Sequence, residues 1–290
     1  MIGAIIGDIV GSRFEFSPHK SKKFELFGND GLSKYKCRFT DDSVLTVAVA
    51  DALLSLKDTL SESELSAMII YRFHLYGKAY PAAGYGERFF LWLCDNEIEP
   101  YGSCGNGSAM RVSPCGWYGE TLEECERLAR VSAAVTHSHP EGIKGAVATA
   151  GAIYLARTGK SKEEIRQYAE RFYPHAFEKT LNEIRPDYSH VETCQDTLPQ
   201  AFVAFYESEN FEDAIRGAVS LGGDSDTLAC ITGSIAEAYY GIDGIPSSLR
   251  EKAISFLDDR LRGVLEEFQT RYVISNNERD CSVKRGEMRR

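Results

Sequence analysis

Apolar side chains return at helical spacing along most of this 290-residue chain, and sustained alternation of apolar and polar residues is nearly absent. An apolar face that repeats every 3.6 residues is buried by a helix and not by a strand, so the pattern excludes sheet-built folds. Val44, Leu45, Val47, Ala48 and Leu53 fit one buried helix. Leu65, Met68, Ile69, Phe73 and Tyr76 mark the next, with Ser61 and Glu64 as its capping box. A helix over 121–135 opens at Thr121, with Glu124 three residues on. The stretch 141–156 is small and apolar on most sides, which predicts an enclosed, central helix. Further helices are expected over 161–171, 196–207, 211–220, 226–240 and 246–267, the last divided near Asp258. The expected class is all-α, with about ten or more helices in a single domain over 1–275.

No linker rich in Pro, Gly and Ser divides the chain. Segment 20–38 is polar, glycine-containing and aperiodic, and reads as a surface loop or lid. The charged tail 276–290 lacks apolar anchors and is expected to be disordered. A net charge of −10 speaks against a general nucleic-acid binder, which needs a basic face, but leaves room for a local basic patch. The first eight residues lack a basic region and reach Asp8 early, unlike a secretory signal. The apolar run 44–54 is broken by Asp51 and is too short for a membrane helix. Eight scattered cysteines without Cys-x-x-Cys spacing read as reduced thiols, so a cytoplasmic location is expected.

Two acidic turns carry the strongest chemical signal: Thr40-Asp41-Asp42-Ser43 and Asp224-Ser225-Asp226-Thr227. Each stands where a loop becomes an apolar helix. Taken singly, each is explained as a helix cap, since Thr40 suits an N-cap and acids suit the positive end of a helix dipole. A cap needs one oxygen, however, and each turn supplies two carboxylates. Brought together they would carry four negative charges, which two divalent cations balance. The donors are all oxygen, a set for magnesium, manganese or calcium and not for zinc.

Three weaker features accompany them. Glu15 is a further acid, although spacing alone favours an exposed surface residue. Ser103-Cys104-Gly105-Asn106-Gly107-Ser108-Ala109-Met110-Arg111 offers backbone N–H groups at a helix start, a nest for an anion, but matches neither the Walker loop nor the dinucleotide fingerprint. Thr136-His137-Ser138-His139-Pro140 reads as a loop ending at a helix, its histidines better suited to local hydrogen bonds or a ligand than to zinc.

With these features in this order, the chain resembles the ADP-ribosylglycohydrolase family, which includes the dinitrogenase reductase-activating glycohydrolases. The matching stretches are Gly3 to Asp8 with Gly11, Ser12 and Glu15; Phe39 to Ser43; Gly105 to Arg111; Thr136 to Pro140; and Leu221 to Thr227. The resemblance implies an all-α domain with a binuclear magnesium site, manganese being the substitute. It implies that Thr40, Asp41 and Asp42 ligate metal from one side, and Asp224, Asp226 and Thr227 from the other. Ser103, Gly105, Asn106, Gly107, Ser108, Met110 and His137 would then bind ADP-ribose, and Glu15 or Asp226 would activate water. The expected activity is hydrolysis at C1″ of the ribose, releasing ADP-ribose from a modified protein or small molecule. No membrane and no general nucleic-acid partner are expected, an ADP-ribosylated nucleobase staying open as acceptor. A non-catalytic ADP-ribose or nucleotide binder and a metal-dependent pyrophosphohydrolase are the alternatives.

Overall fold

Every helix expected from periodicity forms in the computed structural model, which describes residues 1–28, 30–56, 61–95 and 98–274. Among these residues there is no strand, only an isolated bridge between Gly105 and Thr193. The tail 276–290 lies outside them. The helices are α1 (Ile2–Gly11), α2 (Asp41–Leu54), α3 (Glu62–Ala79), α4 (Glu87–Cys94), α5 (Gly107–Met110), α6 (Ser113–Tyr118), α7 (Leu122–Ala134) and α8 (Pro140–Arg157). They continue as α9 (Lys162–Glu170), α10 (Leu181–Ile184), α11 (Cys194–Tyr206), α12 (Phe211–Val219), α13 (Ser225–Tyr240), α14 (Ser247–Ile254) and α15 (Asp259–Phe268). Local capping behaves as the sequence predicts. Ser61 and Glu64 form a reciprocal capping box, Thr121 accepts from the Glu124 N–H, and Asp258 caps α15. No helix among the described residues is long and apolar enough to cross a membrane, and every described cysteine is a free thiol.

Helix α1 is the element that periodicity does not announce. All ten of its residues are buried, so it shows no polar face. Gly3, Gly7 and Gly11 form a stripe four residues apart that lies against α13. A Cβ on Gly7 would stand 2.0 Å from the Ala229 carbonyl oxygen; on Gly3 or Gly11 it would be 2.3 Å from that of Gly233 or Ser225. The two backbones therefore touch. Glycine disfavours an isolated helix by about 1 kcal/mol per residue, and close packing here overrides that preference. Around this pair, α13 also packs against α8, α11 and α12, and α8 against α5, α6 and α7. The central position expected for α8 follows, with eleven of its residues buried.

The start of α1 is tied to the far part of α13 by Glu237, which is wholly buried. Its carboxylate pairs with the Met1 ammonium and accepts from the N–H groups of Ile2 (3.2 Å) and Gly3 (2.8 Å). Removing one side of a buried ion pair costs about 3–5 kcal/mol. Glu237→Ala is accordingly expected to lower the melting temperature by about 6 °C or more; an unchanged melting curve would show that the pair does not stabilise the fold.

Among its described residues segment 20–38 has no helix or strand, but it is fastened at several points. Arg13 grips Asp30 at 2.9 and 3.0 Å and the carbonyl of Gly28 at 3.0 Å. Lys20 donates to the carbonyls of Arg185 (2.8 Å) and Leu221 (2.6 Å), and Phe24 and Leu26 are buried. The segment is a strap packed on the surface.

Candidate active site

The first acidic turn is capped from outside its own helix. Asp8, on α1, accepts from the Thr40 N–H (2.9 Å), the Thr40 hydroxyl (2.7 Å), the Ser43 N–H (3.0 Å) and the Ser43 hydroxyl. A negative charge thus meets the N-terminus of α2, as the dipole favours. With Thr40 and Asp8 doing the capping, Asp41 and Asp42 are spare. The second turn departs from the capping explanation differently. Asp224 occupies the N-cap of α13 yet makes no side-chain cap bond. Its Oδ2 instead accepts from the Asn106 side-chain amide at 2.7 Å, an amide that also donates to Thr197 Oγ1 at 3.1 Å.

Contact between α1 and α13 brings the turns together. Asp8, Asp42 and Asp226 place carboxylate oxygens within 4.8 Å of one another, and so do Glu15, Asp224 and Asp226. Asp226 belongs to both groups. The oxygens of Asp8 are already engaged by four donors, which makes it the anchor of the first turn. Asp42 is different. Its Oδ2 accepts from Thr40 and Thr227 hydroxyls at 3.3 Å each, whereas its Oδ1 is buried and without a partner. A buried, unpartnered carboxylate oxygen in an all-oxygen donor set is what a hard divalent cation would satisfy. The residues present fit such an ion.

Electrostatics agree. Burial raises the pKa of each clustered acid, and neighbouring carboxylates raise it further at Asp42, Asp226 and Glu15. Glu15 is pushed up to about 8, first by burial and then by the charge of Asp226. Asp41 and Asp224 reach about 7, burial again being the largest cause. In the metal-free chain protons stand in for cations. A carboxyl whose pKa is higher folded than unfolded binds its proton more tightly in the folded state. Stability is then greatest below the unfolded value near 4 and is lost as pH rises through 7 to 8. EDTA-treated protein is therefore expected to melt about 4 °C or more higher at pH 5.5 than at pH 8.5, with added magnesium removing most of the difference. A melting temperature that rises with pH in EDTA would contradict this account.

The acids open onto a cavity of about 320 Å³. Glu15, Asp41, Asp42, Asp224, Asp226 and Thr227 line one part; Ser103, Gly105, Asn106, Gly107, Met110 and His137 line another. Thr40 and Ser108 do not line it. Thr40 is turned to Asp8, and the buried Ser108 hydroxyl donates to the Gly142 carbonyl at 2.7 Å. The glycine loop satisfies part of its own backbone. Gly105 N–H donates to Ser103 Oγ at 3.0 Å, and Asn106 N–H to the Glu192 carbonyl at 2.7 Å.

The two histidines separate in role. His139 is the N-cap of α8, accepting from the Glu141 N–H at 3.1 Å. His137 is buried against the glycine loop, and burial, reinforced by Arg111 and Arg88, holds its pKa well below the usual 6.5. It is neutral. Thr136 Oγ1 accepts from Arg111 Nη2 at 2.8 Å and lies 2.8 Å from His137 Nδ1. Which of those two atoms donates follows the imidazole tautomer, and Nε2 is the ring nitrogen turned to the glycine loop. That Nε2 stands 3.2 Å from where a Gly107 Cβ would be, so a side chain there would crowd the ring by a few tenths of an ångström.

Sequence reading left several lining residues without a role. Tyr101 and Arg88, the guanidinium 4.9 Å from the ring centre, sit beside His137, and Glu192 closes the wall near Glu15. None belongs to a motif. Asp8 ends one of the family-matching stretches, but its capping of the first acidic turn follows only from the seating of α1.

The chain is similar to known proteins over most of its length. The sequence pattern of the ADP-ribosylglycohydrolase family matches residues 1–278. ADP-ribosylhydrolase ARH3 of Homo sapiens is 26% identical over 87% of this chain and 87% of its own length. ADP-ribosylarginine hydrolase Tri1 of Pseudomonas putida is 27% identical over 87% of this chain and 72% of its own. A solved structure titled ADP-ribosylglycohydrolase-related protein complex superposes with a TM-score of 0.68, covering 90% of this chain and 92% of that one; at 24% identity it speaks to the fold alone. From the family pattern over nearly the whole chain, the chain belongs to the ADP-ribosylglycohydrolase family and is an enzyme of that hydrolase class.

Proposed function

We propose that this protein is a magnesium-dependent hydrolase that removes ADP-ribose from a modified acceptor by breaking the bond at C1″ of the ribose. One observation carries the reading: two three-carboxylate groups share Asp226, and all their members but Asp8 line a cavity whose other wall is the Gly105–Met110 loop with His137. Asp42, Asp224, Asp226 and Glu15, with Asp41 and the Thr227 hydroxyl beside them, would hold two divalent ions, magnesium or manganese. Such ions, when bound, polarise ribose hydroxyls and make water a better nucleophile at neutral pH.

The chain's own groups do the rest. Asn106 fixes the rotamer of Asp224, and Asp8 fixes the turn that presents Asp41 and Asp42. Nε2 of His137 and the loop backbone orient the diphosphate and adjoining ribose. Carboxylates around C1″ stabilise positive charge as it develops there. Glu15, half-buried at the open edge, is placed to take a proton from water and pass it to the departing acceptor. Asp226 is the alternative base, but its oxygens serve both acid groups.

Homologues are named for ADP-ribosylated substrates, which supports an acceptor of that kind. Purified protein, magnesium and a panel of mono-ADP-ribosylated conjugates should yield free ADP-ribose by chromatography, and EDTA should suppress the yield. Release of AMP or phosphate would identify a pyrophosphohydrolase. Tight ADP-ribose binding by calorimetry with no turnover of any linkage would identify a non-catalytic binder.

A further inference from the structure

The lip of the cavity differs in charge from the rest of the chain. Segment 19–38 carries Lys20, Lys22, Lys23, Lys34, Lys36 and Arg38 against Glu25 and Asp30, in a protein of net charge −10. The fold uses part of that excess. Lys20 holds main-chain carbonyls, Lys22 pairs with Asp213 at 2.9 Å, and Asp30 is taken by Arg13. Lys34, Lys36 and Arg38 are exposed, and none is ion-paired to a described residue.

Aromatic rings stand among these cations. Phe16 is 62% exposed and Tyr35, between Lys34 and Lys36, is 40% exposed. Their centroids are 6.4 Å apart, edge to face, and His190 stacks on Phe16 at 6.1 Å. Lys34 Nζ lies 5.0 Å from the centre of the Tyr35 ring. The group adjoins the cavity mouth in three places. Phe16 follows Glu15; His190 bonds Glu192, a lining residue, at 3.0 Å; and Arg38 Nη2 is 3.8 Å from the Cβ position of Gly84, another lining residue.

A single exposed ring needs no explanation. Exposed rings interleaved with three cations that no described carboxylate pairs with, at the edge of a site that handles a nucleotide sugar, do. A cationic acceptor such as an arginine side chain would meet like charge here. A nucleobase can stack on the exposed part of a ring, opposite His190 on Phe16 or Lys34 on Tyr35, and its flanking phosphates find lysine and arginine within reach. We propose that this lip binds the acceptor side of the substrate and that the acceptor is single-stranded nucleic acid. This inference rests on the reading of the cavity as an ADP-ribose hydrolase site. The chemistry is unchanged: water oxygen bonds C1″, the bond from C1″ to the nucleic acid breaks, and the water proton goes to the released nucleic acid.

The test uses the full chain with magnesium and a fluorescent, unmodified single-stranded oligonucleotide of about a dozen nucleotides. Anisotropy should show binding that weakens as salt rises. Phe16→Ala, and separately Lys34→Glu with Lys36→Glu, should weaken it about tenfold or more, with melting curves unchanged. On a mono-ADP-ribosylated oligonucleotide the same variants should lose about tenfold in kcat/KM, while an ADP-ribose conjugate of a small uncharged acceptor is turned over as by the parent chain. No oligonucleotide binding at about 100 µM protein, wild-type binding by both variants, or an equal loss on the uncharged conjugate would each overturn the proposal. If no conjugate yields ADP-ribose, the hydrolase reading fails, and the anisotropy series still decides what the lip binds.

Discussion

Asp226→Asn is expected to abolish ADP-ribose release, by about a thousandfold or more, while making the metal-free protein more stable. The opposed signs follow from one cause. Asp226 is the carboxylate common to both acid groups, and its pKa is raised by burial and then by Asp224 beside it. An ionised carboxylate held there without a cation is a cost to folding, and an amide of the same shape removes it. The amide oxygen can keep the bond from the Thr227 N–H, 3.1 Å in the parent. Magnesium, which should raise the melting temperature of the parent because it binds only the folded state, should barely raise that of the variant. Thermal melts with and without magnesium, beside a chromatographic activity assay, give three independent readouts. Normal turnover, or a magnesium-induced shift equal to the parent's, would remove Asp226 from the metal centre.

Substituting Gly7 with Val should have the largest effect on folding. A Cβ at this position would lie 2.0 Å from the Ala229 carbonyl oxygen and 2.6 Å from the Cys230 nitrogen, both backbone atoms that no rotamer change can move. Helices α1 and α13 would have to part. Overpacking a tight core typically costs about 1–3 kcal/mol, and a clash with main chain on the molecule's central helix pair belongs at or above the top of that range. The variant is expected to be insoluble or to melt at least about 6 °C lower. What remains folded should also bind magnesium less well, because Asp8 reaches Thr40 and Ser43 only while α1 stays seated. A Gly7→Val protein with the parent's melting temperature would show that the helix contact is looser than described. Gly263, inside α15 where a Cβ would meet nothing within 4 Å, is the control position: Gly263→Ala should leave magnesium binding unchanged and should not lower the melting temperature, since alanine favours a helix interior by about 1 kcal/mol.

Much of the architecture is legible because amphipathic helices announce themselves. Helices α3 and α9 have capping boxes, α7 has Thr121, and α15 begins at Asp258. Helix α1 is illegible for the opposite reason. It is buried on all sides and built on glycines, so neither periodicity nor propensity marks it. The candidate site divides the same way. Both acidic turns, Glu15, the glycine loop and His137 can be named from motif order, and all meet at one cavity. Tyr101, Arg88 and Glu192 lie in stretches with no pattern, and their place in the wall depends on how α4 and the loops before α5 and α11 are packed. Ser108 belongs to a motif but is turned to the Gly142 carbonyl.

The sequence by itself determined the all-helical class, the helix boundaries set by caps, the oxygen-only donor set and the family, since these depend on residue type and short-range order. Tertiary structure alone decided that α1 lies backbone-to-backbone on α13, that Asp8 does the capping at the first acidic turn, and that Asp226 is shared between two acid groups. It also decided that a chain of net negative charge gathers Lys34, Lys36 and Arg38 beside exposed rings at the cavity mouth. The physical reason is that like charges converge only where packing holds them together, and helix contact through Gly3, Gly7 and Gly11 supplies that packing, seating Asp8 and Glu15 against the distant turn that carries Asp224 and Asp226.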